Sequence, residues 1–110
     1  MAAKSLNDPL QSSHCARLLR AVADEERLRL VQCLRAGPKN VSELAESLRT
    51  QIANVSHHLG VLRQAGVVLD EKQGRFVVYR LNPEVFQGTS GTRDQDSLDF
   101  GCCRLELPKT

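Results

Sequence analysis

Gly66 separates two segments whose hydrophobic residues follow different periods. In residues 51–65 apolar side chains recur every three or four positions, which predicts an amphipathic helix. In residues 67–81 two runs rich in β-branched and aromatic residues flank a polar turn with a glycine, which predicts a β-hairpin. A helix that stops at a glycine and passes directly into a hairpin allows few architectures. The predicted buried face of the helix holds Ile52, Val55, Leu59 and Leu62.

Three further helices are predicted upstream. Residues 9–22 carry an apolar stripe, Asp24 can cap a second helix, and Ser42 is placed to cap a short third one. The third helix breaks near Arg49, so a tight turn joins it to helix 51–65. This order predicts a winged helix-turn-helix, an α+β fold that is mainly α, with the hairpin as the wing.

The two adjacent histidines of helix 51–65 are not spaced as metal ligands. Successive residues on an α-helix are about 100° apart, so His57 falls opposite the apolar stripe and His58 at the edge of the buried face. Two helical histidines share an ion when they are four positions apart. We therefore expect His57 to face a partner, and His58 to be half-buried and bonded to backbone or a neighbouring turn.

Size and charge favour a small binding domain over an enzyme. The 110 residues, 41% of them hydrophobic, can close one modest core. No set of nucleophile, base and oxyanion donors is apparent, so an enzyme is not expected. The net charge is only +2, but five basic and two acidic residues between Arg49 and Arg80 give that segment +3. This distribution favours a polyanionic partner.

The sequence carries no sign of export or membrane insertion. No segment is long and apolar enough to span a bilayer, and the N-terminal residues MAAKSLND lack the hydrophobic run of a secretory signal. The chain is therefore expected in the cytoplasm, without a membrane partner. In that reducing compartment its four cysteines are expected to stay thiols, with roles in ligation, redox sensing or packing.

Three blocks of the sequence, ELAESL, NVSHHLGVLRQAGVV and QGRFVVYRLN, follow one another within about residues 15–82. In their order and spacing they resemble the ArsR/SmtB family of dimeric bacterial transcriptional repressors. The resemblance implies a homodimer that binds a pseudo-palindromic operator in double-stranded DNA. It also implies that a small effector, often a metal or metalloid ion, releases or alters the repressor.

The resemblance makes residues 51–65 the recognition helix in the major groove. The DNA-binding candidates are Thr50, Gln51, Asn54, Ser56, His57, Arg63, Lys72 and Arg75. Asparagine and glutamine can read adenine by paired hydrogen bonds, whereas arginine and lysine mostly hold phosphates. Ile52 and Ala53 stand where the family commonly has polar residues, which leaves fewer base-contacting groups. The alternative is that the candidate side chains are simply solvated.

The metal sites that the resemblance implies mostly do not transfer to this chain. Asn40 and Ser42 occupy the positions of the cysteine pair that many members carry before the recognition helix. A C-terminal dimer helix with histidine and carboxylate ligands is not expected either, because the only histidines are His14, His57 and His58.

Residues 87–110 are predicted to form a linker and a cysteine-containing segment beside a winged-helix domain at residues 1–86. The linker is GTSGTRDQDS, and LDFGCCRLEL then alternates as an extra C-terminal strand would. The alternation slips in phase at the adjacent cysteines, where a bulge at Gly101 would permit the slip.

Such a bulge would turn Cys102 and Cys103 toward one side, with Cys15 as the natural third ligand. Three thiolates suit arsenic(III) or another thiophilic ion, and some ArsR-like repressors use a vicinal cysteine pair near the C-terminus. The sequence thus predicts an effector-responsive repressor that senses a metalloid and requires no cofactor.

Other interpretations stay open. Cys15 and Cys33 lie on or beside apolar stripes, where free cysteine is often a packing residue. Cys33 with Cys102 or Cys103 approximates the layout of relatives that sense persulfide, which would make the chain a thiol redox repressor. A winged helix without operator binding would instead be a protein-interaction module.

Overall fold

The computed structural model describes residues 11–87 and 95–108. Its helices are α1 (Ser12–Val22), α2 (Glu25–Leu34), α3 (Val41–Leu48) and α4 (Ile52–Ala65). The first antiparallel sheet, in the order β1-β3-β2, comprises β1 (Lys39–Asn40), β2 (Val68–Gln73) and β3 (Phe76–Leu81). The second, in the order β4-β5-β6, comprises β4 (Phe86–Gln87), β5 (Gln95–Asp99) and β6 (Arg104–Pro108). The first sheet and the helices confirm the winged helix-turn-helix.

The core is a single cluster to which the helices and both sheets contribute. Its fully buried side chains include Leu30, Leu44, Val55, Leu59, Leu62, Val67, Val68 and Leu98. The predicted buried stripe of α4 is confirmed at three of its four positions. Ile52 is the exception, with 55% of its surface exposed, because the first turn of α4 extends beyond the core.

The third helix begins two residues earlier than a cap at Ser42 would allow. Asn40, not Ser42, is the N-cap: its side chain accepts from the Glu43 backbone N–H at 2.8 Å, and the Glu43 side chain accepts from the Asn40 N–H at 2.9 Å. This reciprocal capping box satisfies two backbone donors. Pairing of Lys39–Asn40 with β3 holds that backbone extended, so the helix starts directly after it.

The turn between α3 and α4 places the polar side of α4 on the surface. Arg49 adopts a left-handed conformation with φ of 55°, and the Thr50 N–H donates to the Ala45 carbonyl at 3.1 Å. Left-handed backbone at a helix C-terminus closes the last turn and redirects the chain. Gly66, with φ of 87°, ends α4 in the same way and leads into the wing.

The wing is the β2–β3 hairpin, whose strands pair from Val68 with Leu81 to Gln73 with Phe76. Its tip turns at Gly74, where φ is 63°. The strands are buried only at the end that joins the core, and residues 71–77 are exposed. The wing therefore projects from the body of the domain, as predicted. The short strand β1, which extends the hairpin to a three-stranded sheet, was not predicted.

The C-terminal segment differs from the single bulged strand that the alternation predicted. It forms a hairpin in which β5 and β6 pair from Gln95 with Pro108 to Asp99 with Arg104. The phase slip at the cysteines marks the turn of that hairpin. Residues 95–97, predicted as linker, belong to β5, while residues 88–94 of that linker lie outside the described residues.

The second sheet is packed onto the winged helix. Leu98 is fully buried and Phe100 is 5% exposed, both within the main core cluster. The ion pair between Arg35 at the end of α2 and Asp96 on β5 adds a polar link between the two parts. The cysteine-containing turn is thereby held at a fixed place against the helices.

Candidate nucleic-acid interface and cysteine cluster

The N-terminal half of α4 presents a polar surface. Apart from Thr50, which is half-buried, the predicted base-contacting side chains Gln51, Asn54, Ser56 and His57 are exposed. The structure brings most of them together around one shallow depression, which is lined by Thr50, Gln51, Ala53, Asn54 and His57. Three apolar residues on the opposite side of α4 anchor this surface to the core: Val55, Leu59 and Leu62. The helix thus offers polar groups on a rigid support, which is what insertion into a major groove requires.

The adjacent histidines have different surroundings, as predicted. His57 is exposed, and the described residues that could jointly hold a metal ion include neither histidine. His58 is half-buried, but its partners are side chains of α2, not the backbone. Nδ1 of His58 lies 3.1 Å from Nη1 of Arg27, and Nε2 lies 3.1 Å from Oε1 of Glu26. Because a guanidinium only donates, Nδ1 must accept, so Nε2 carries the proton and donates to Glu26.

Asp24 connects this cluster to the start of α2. Its Oδ2 accepts from the backbone N–H groups of Glu26 and Arg27 at 3.0 and 3.1 Å, and lies 3.9 Å from Nε2 of His58. The backbone N–H of Arg27 is the main reason that the pKa of the Asp24 carboxyl lies below its ordinary value. The cap predicted from the sequence is confirmed.

The predicted phosphate-binding residues divide into two groups. Nε of Arg63, at the end of α4, lies 3.8 Å from Oδ2 of Asp70 on the wing, in an exposed pair. Lys72 and Arg75 are exposed near the wing tip. Within the described part of the chain neither forms an ion pair. These two cations are available to a phosphate backbone, whereas Arg63 already has an anionic neighbour.

Three of the four cysteines meet at one place. Cys15 is buried on α1, and Cys102 and Cys103 occupy the turn between β5 and β6. Sγ of Cys103 lies 3.8 Å from Sγ of Cys15 and 3.9 Å from Sγ of Cys102. The structure therefore brings together the three cysteines that the sequence predicted as ligands, although Cys15 is far in sequence from Cys102 and Cys103.

Cys15 and Cys102 are joined by a disulfide across a Cα–Cα distance of 6.2 Å. The expectation that all four cysteines are thiols is therefore wrong for this pair. The hairpin brings Cys102 against buried Cys15, a proximity that the sequence does not reveal. Cys33 and Cys103 are free thiols. Cys33 packs against the core from α2 and does not belong to the sulfur group.

The geometry of the turn explains why both adjacent cysteines point the same way. Gly101 has a left-handed φ of 88°, and its N–H donates to Oδ1 of Asp99 at 2.9 Å. The N–H of Phe100 donates to the Cys103 carbonyl at 2.9 Å, which closes the turn. Gly101 thus has the special backbone predicted for it, but in a hairpin turn instead of a strand bulge.

The three sulfurs fit a thiophilic ion once they are reduced. All three lie within 4.8 Å of one another. Sulfurs that bind one zinc-like ion at about 2.3 Å can be at most about 4.6 Å apart, so small side-chain movements suffice. Soft thiolates select thiophilic ions over hard ones. The disulfide withholds two of the three ligands, so reduction must precede any binding.

Three side chains that organise the surroundings of these sites were not predicted from the sequence. Glu26 and Arg27 hold His58, and Glu26 also contacts Asn54 of α4. Arg35 holds the second sheet through Asp96. They were not predicted because charged residues at the ends of a helix are usually exposed to solvent, and the sequence gives no sign of their contacts. Only Arg27 and Glu26 had a usable signal, since they directly follow the predicted cap.

The fold and the exposed polar surface of α4 define a winged helix-turn-helix DNA-binding protein. No helix among the described residues has the length and apolarity to cross a membrane. The family model described as "Bacterial regulatory protein, arsR family" matches residues 24–69. The transcriptional repressor SdpR of Bacillus subtilis is 33% identical over 70 residues, which cover 64% of this chain and 78% of SdpR. The chain belongs to the arsR family of bacterial regulatory proteins.

Two further comparisons extend this assignment. The arsenical resistance operon repressor of Escherichia coli is 41% identical over 69 residues, which cover 62% of this chain but only 59% of that protein. The solution structure of a homodimeric winged helix-turn-helix DNA-binding domain from Mycobacterium bovis, a possible ArsR-family regulator, superposes with a TM-score of 0.67. It is 26% identical and covers 76% of this chain and 78% of that one. The matched proteins are named as transcriptional repressors or regulators and not as enzymes.

Proposed function

We propose that this chain is a cytoplasmic, homodimeric repressor whose operator binding responds to a thiophilic metalloid, of the arsenic(III) class, through Cys15, Cys102 and Cys103. The observation that carries the proposal is the convergence of these three sulfur atoms from α1 and from the turn between β5 and β6. Arsenic(III) favours three thiolate ligands, and relatives named as arsenical resistance repressors are similar to this chain.

The DNA-binding part of the proposal rests on the exposed surface of α4 and the cations of the wing. In a dimer, two copies of α4 would enter successive major grooves about one helical turn apart. Lys72 and Arg75 would then meet the flanking phosphates. The homodimeric domain from Mycobacterium bovis supports the dimer, which we place on α1 and the C-terminal segment.

Effector binding would act through the position of the second sheet. An ion held by all three sulfurs ties the turn of the second sheet to α1, which itself packs against α4. Arg35 ties the same sheet to α2, which holds the recognition helix through Glu26 and His58. Packed elements therefore connect the three sulfur atoms both to α4 and to the proposed dimer surface.

The first test is fluorescence anisotropy of the fully reduced protein on duplex DNA from its own upstream region, titrated with arsenite. We expect arsenite to change the affinity of the parent protein and to leave Cys102→Ser/Cys103→Ser unchanged. Cys33→Ser is the matched control, because it removes a thiol outside the cluster. Equal responses of the parent and the double variant would exclude the cluster as the effector site.

A thiol redox repressor is the second candidate, and the disulfide between Cys15 and Cys102 favours it. Its formation from two thiols releases two protons and two electrons, which a peroxide accepts as its O–O bond breaks to give water. The partner of Cys102 is then Cys15, whereas the sequence left open a pair of Cys33 with Cys102 or Cys103. DNA affinity that differs between oxidised and reduced protein but ignores arsenite would identify this mode.

Salt dependence tests a winged-helix interaction module without operator binding. A repressor loses affinity steeply as salt rises, because its phosphate contacts release counterions. Weak binding to any duplex, with little dependence on salt, would favour the interaction module.

A further inference from the structure

Both donor hydrogens of the Asn54 side chain are occupied inside the protein. Nδ2 of Asn54 lies 2.6 Å from Oε1 of Glu26 and 3.2 Å from Oγ1 of Thr50. A carboxylate only accepts hydrogen bonds, so the amide atom that faces Glu26 must be the nitrogen and not the oxygen. An amide nitrogen carries two hydrogens, one for each of these acceptors.

The amide oxygen of Asn54 remains for a partner. Among the described residues no group donates to it, and Asn54 is exposed at the depression on α4. A bidentate contact with adenine needs the amide to donate to N7 and to accept from N6. Because its donor hydrogens are already engaged, Asn54 can accept from N6 but cannot donate to N7.

Glu26 is itself held in place. The same Oε1 atom accepts from Nε2 of His58 at 3.1 Å, and His58 is fixed on its other side by Arg27. Only 13% of the His58 side chain and 32% of the Glu26 side chain are exposed. The charge-assisted bond to Asn54 is therefore made to an anchored carboxylate, which limits its exchange for a base.

We propose that Glu26 is a specificity-determining positioning residue that turns Asn54 into a reader of amino groups only. Adenine N6 and cytosine N4 both present a donor in the major groove, whereas guanine O6 and thymine O4 are acceptors that the amide oxygen opposes. The base facing Asn54 in each half-site should accordingly be adenine or cytosine without strong distinction between them. This inference rests on the operator binding proposed above.

Removing the Glu26 carboxylate should change which base Asn54 selects. In Glu26→Ala one amide hydrogen becomes free to donate to N7, so the paired contact with adenine becomes possible. Glu26→Gln retains an oxygen that can accept from Asn54, so this variant should keep the selectivity of the parent protein. Loss of a negative charge near DNA raises affinity for all sequences, which requires a control for charge.

Glu25→Ala is the matched control. It removes the same charge from the neighbouring residue, whose side chain is 79% exposed and pairs with Arg29 instead of Asn54. Any general electrostatic gain in affinity should appear in both alanine variants. A change in base preference should appear in Glu26→Ala alone.

The test is selection of bound sequences from a pool of duplexes with randomised half-sites, using reduced protein and each variant. We expect the parent, Glu25→Ala and Glu26→Gln to accept adenine and cytosine at one position of each half-site within about threefold. Glu26→Ala should prefer adenine there by about tenfold, a typical effect of one paired base contact. Circular dichroism and the side-chain amide resonances of Asn54 establish that each variant is folded and whether the amide was released.

Identical preferences of the parent and Glu26→Ala at every position, with the amide released, would overturn the role of Glu26 while leaving operator binding intact. A parent that already selects adenine over cytosine by tenfold would overturn it as well. A parent that enriches no sequence would overturn operator binding itself, and the role of Glu26 with it.

Discussion

Arg35 and Asp96 form a nearly buried ion pair between α2 and β5, with Nη2 of Arg35 2.8 Å from Oδ2 of Asp96. The two side chains are 11% and 13% exposed. Nε of Arg35 donates to the same carboxylate oxygen at 2.9 Å, and Nη1 donates to the carbonyl of Pro108 at 2.8 Å. One guanidinium thus binds both β5 and β6 to the end of α2.

Asp96→Ala should lower the free energy of unfolding by about 3 kcal/mol, because it leaves the Arg35 charge nearly buried without its partner. Urea denaturation measures this. The double variant Arg35→Met/Asp96→Leu should recover most of the loss, since no charge remains to be solvated. Glu25→Ala, which breaks the exposed pair with Arg29, should lose at most about 0.5 kcal/mol. A loss in Asp96→Ala as small as that control would contradict the importance of the pair.

Leu98→Ala tests whether the second sheet shares the core of the winged helix. Leu98 is fully buried although it lies near the C-terminus. Its truncation should lower the free energy of unfolding by about 3 kcal/mol through lost apolar burial and the resulting cavity. Urea denaturation followed by circular dichroism should show one transition at a lower midpoint. A midpoint unchanged from the parent would mean that the sheet adds nothing to the stability of the core.

Asp24→Asn should alter the dependence of stability on pH. The pKa of Asp24 is lower in the folded protein, chiefly through the Arg27 backbone N–H, so the folded state binds fewer protons than the unfolded state. The resulting stability is present above the unfolded pKa of about 3.9 and is lost as pH falls through the folded pKa. Asparagine still caps the helix but does not titrate here. Thermal melts between about pH 2 and 6 should therefore fall less steeply at the acid end for Asp24→Asn, and equal slopes would oppose this assignment.

Arg75→Ala should weaken DNA binding uniformly across sequences and make it less dependent on salt. Removing one phosphate contact should reduce the slope of log affinity against log salt by about 1. Anisotropy titrations at several salt concentrations give this slope. Arg104→Ala removes the same charge from β6, where Arg104 lies 3.6 Å from Asp99, and should leave the slope unchanged. If both variants and the parent showed the same dependence of affinity on salt, Arg75 at the wing tip would not be part of the DNA interface.

The sequence predicted the elements whose hydrophobic pattern is local. The stripe of α4 and the two β-rich runs of the wing each need only a dozen neighbouring residues, and both are confirmed apart from Ile52. The tail was predicted as one strand because a phase slip has two local explanations, a bulge or a hairpin turn. Pairing of Leu98 with Phe86 and Leu105 decides between them, and pairing between strands is not a local property.

In the candidate site, too, only the features that depend on neighbouring residues could be predicted from the sequence. The exposed positions of Asn54 and His57 follow from helical geometry alone. The contact between Asn54 and Glu26 joins residues that are 28 positions apart, and the contact between Cys15 and Cys103 joins residues 88 apart. Such contacts depend on how the helices and the hairpin pack, which no spacing in the sequence expresses.

The link between Cys15 and Cys102 spans 87 positions of the chain. It closes residues 15–102 into a covalent ring that includes α4 and the wing. Cleavage of any one peptide bond within this ring leaves a single molecule. The same cleavage after reduction gives two separable fragments, so the oxidation state of Cys15 and Cys102 determines whether the chain contains a closed covalent loop.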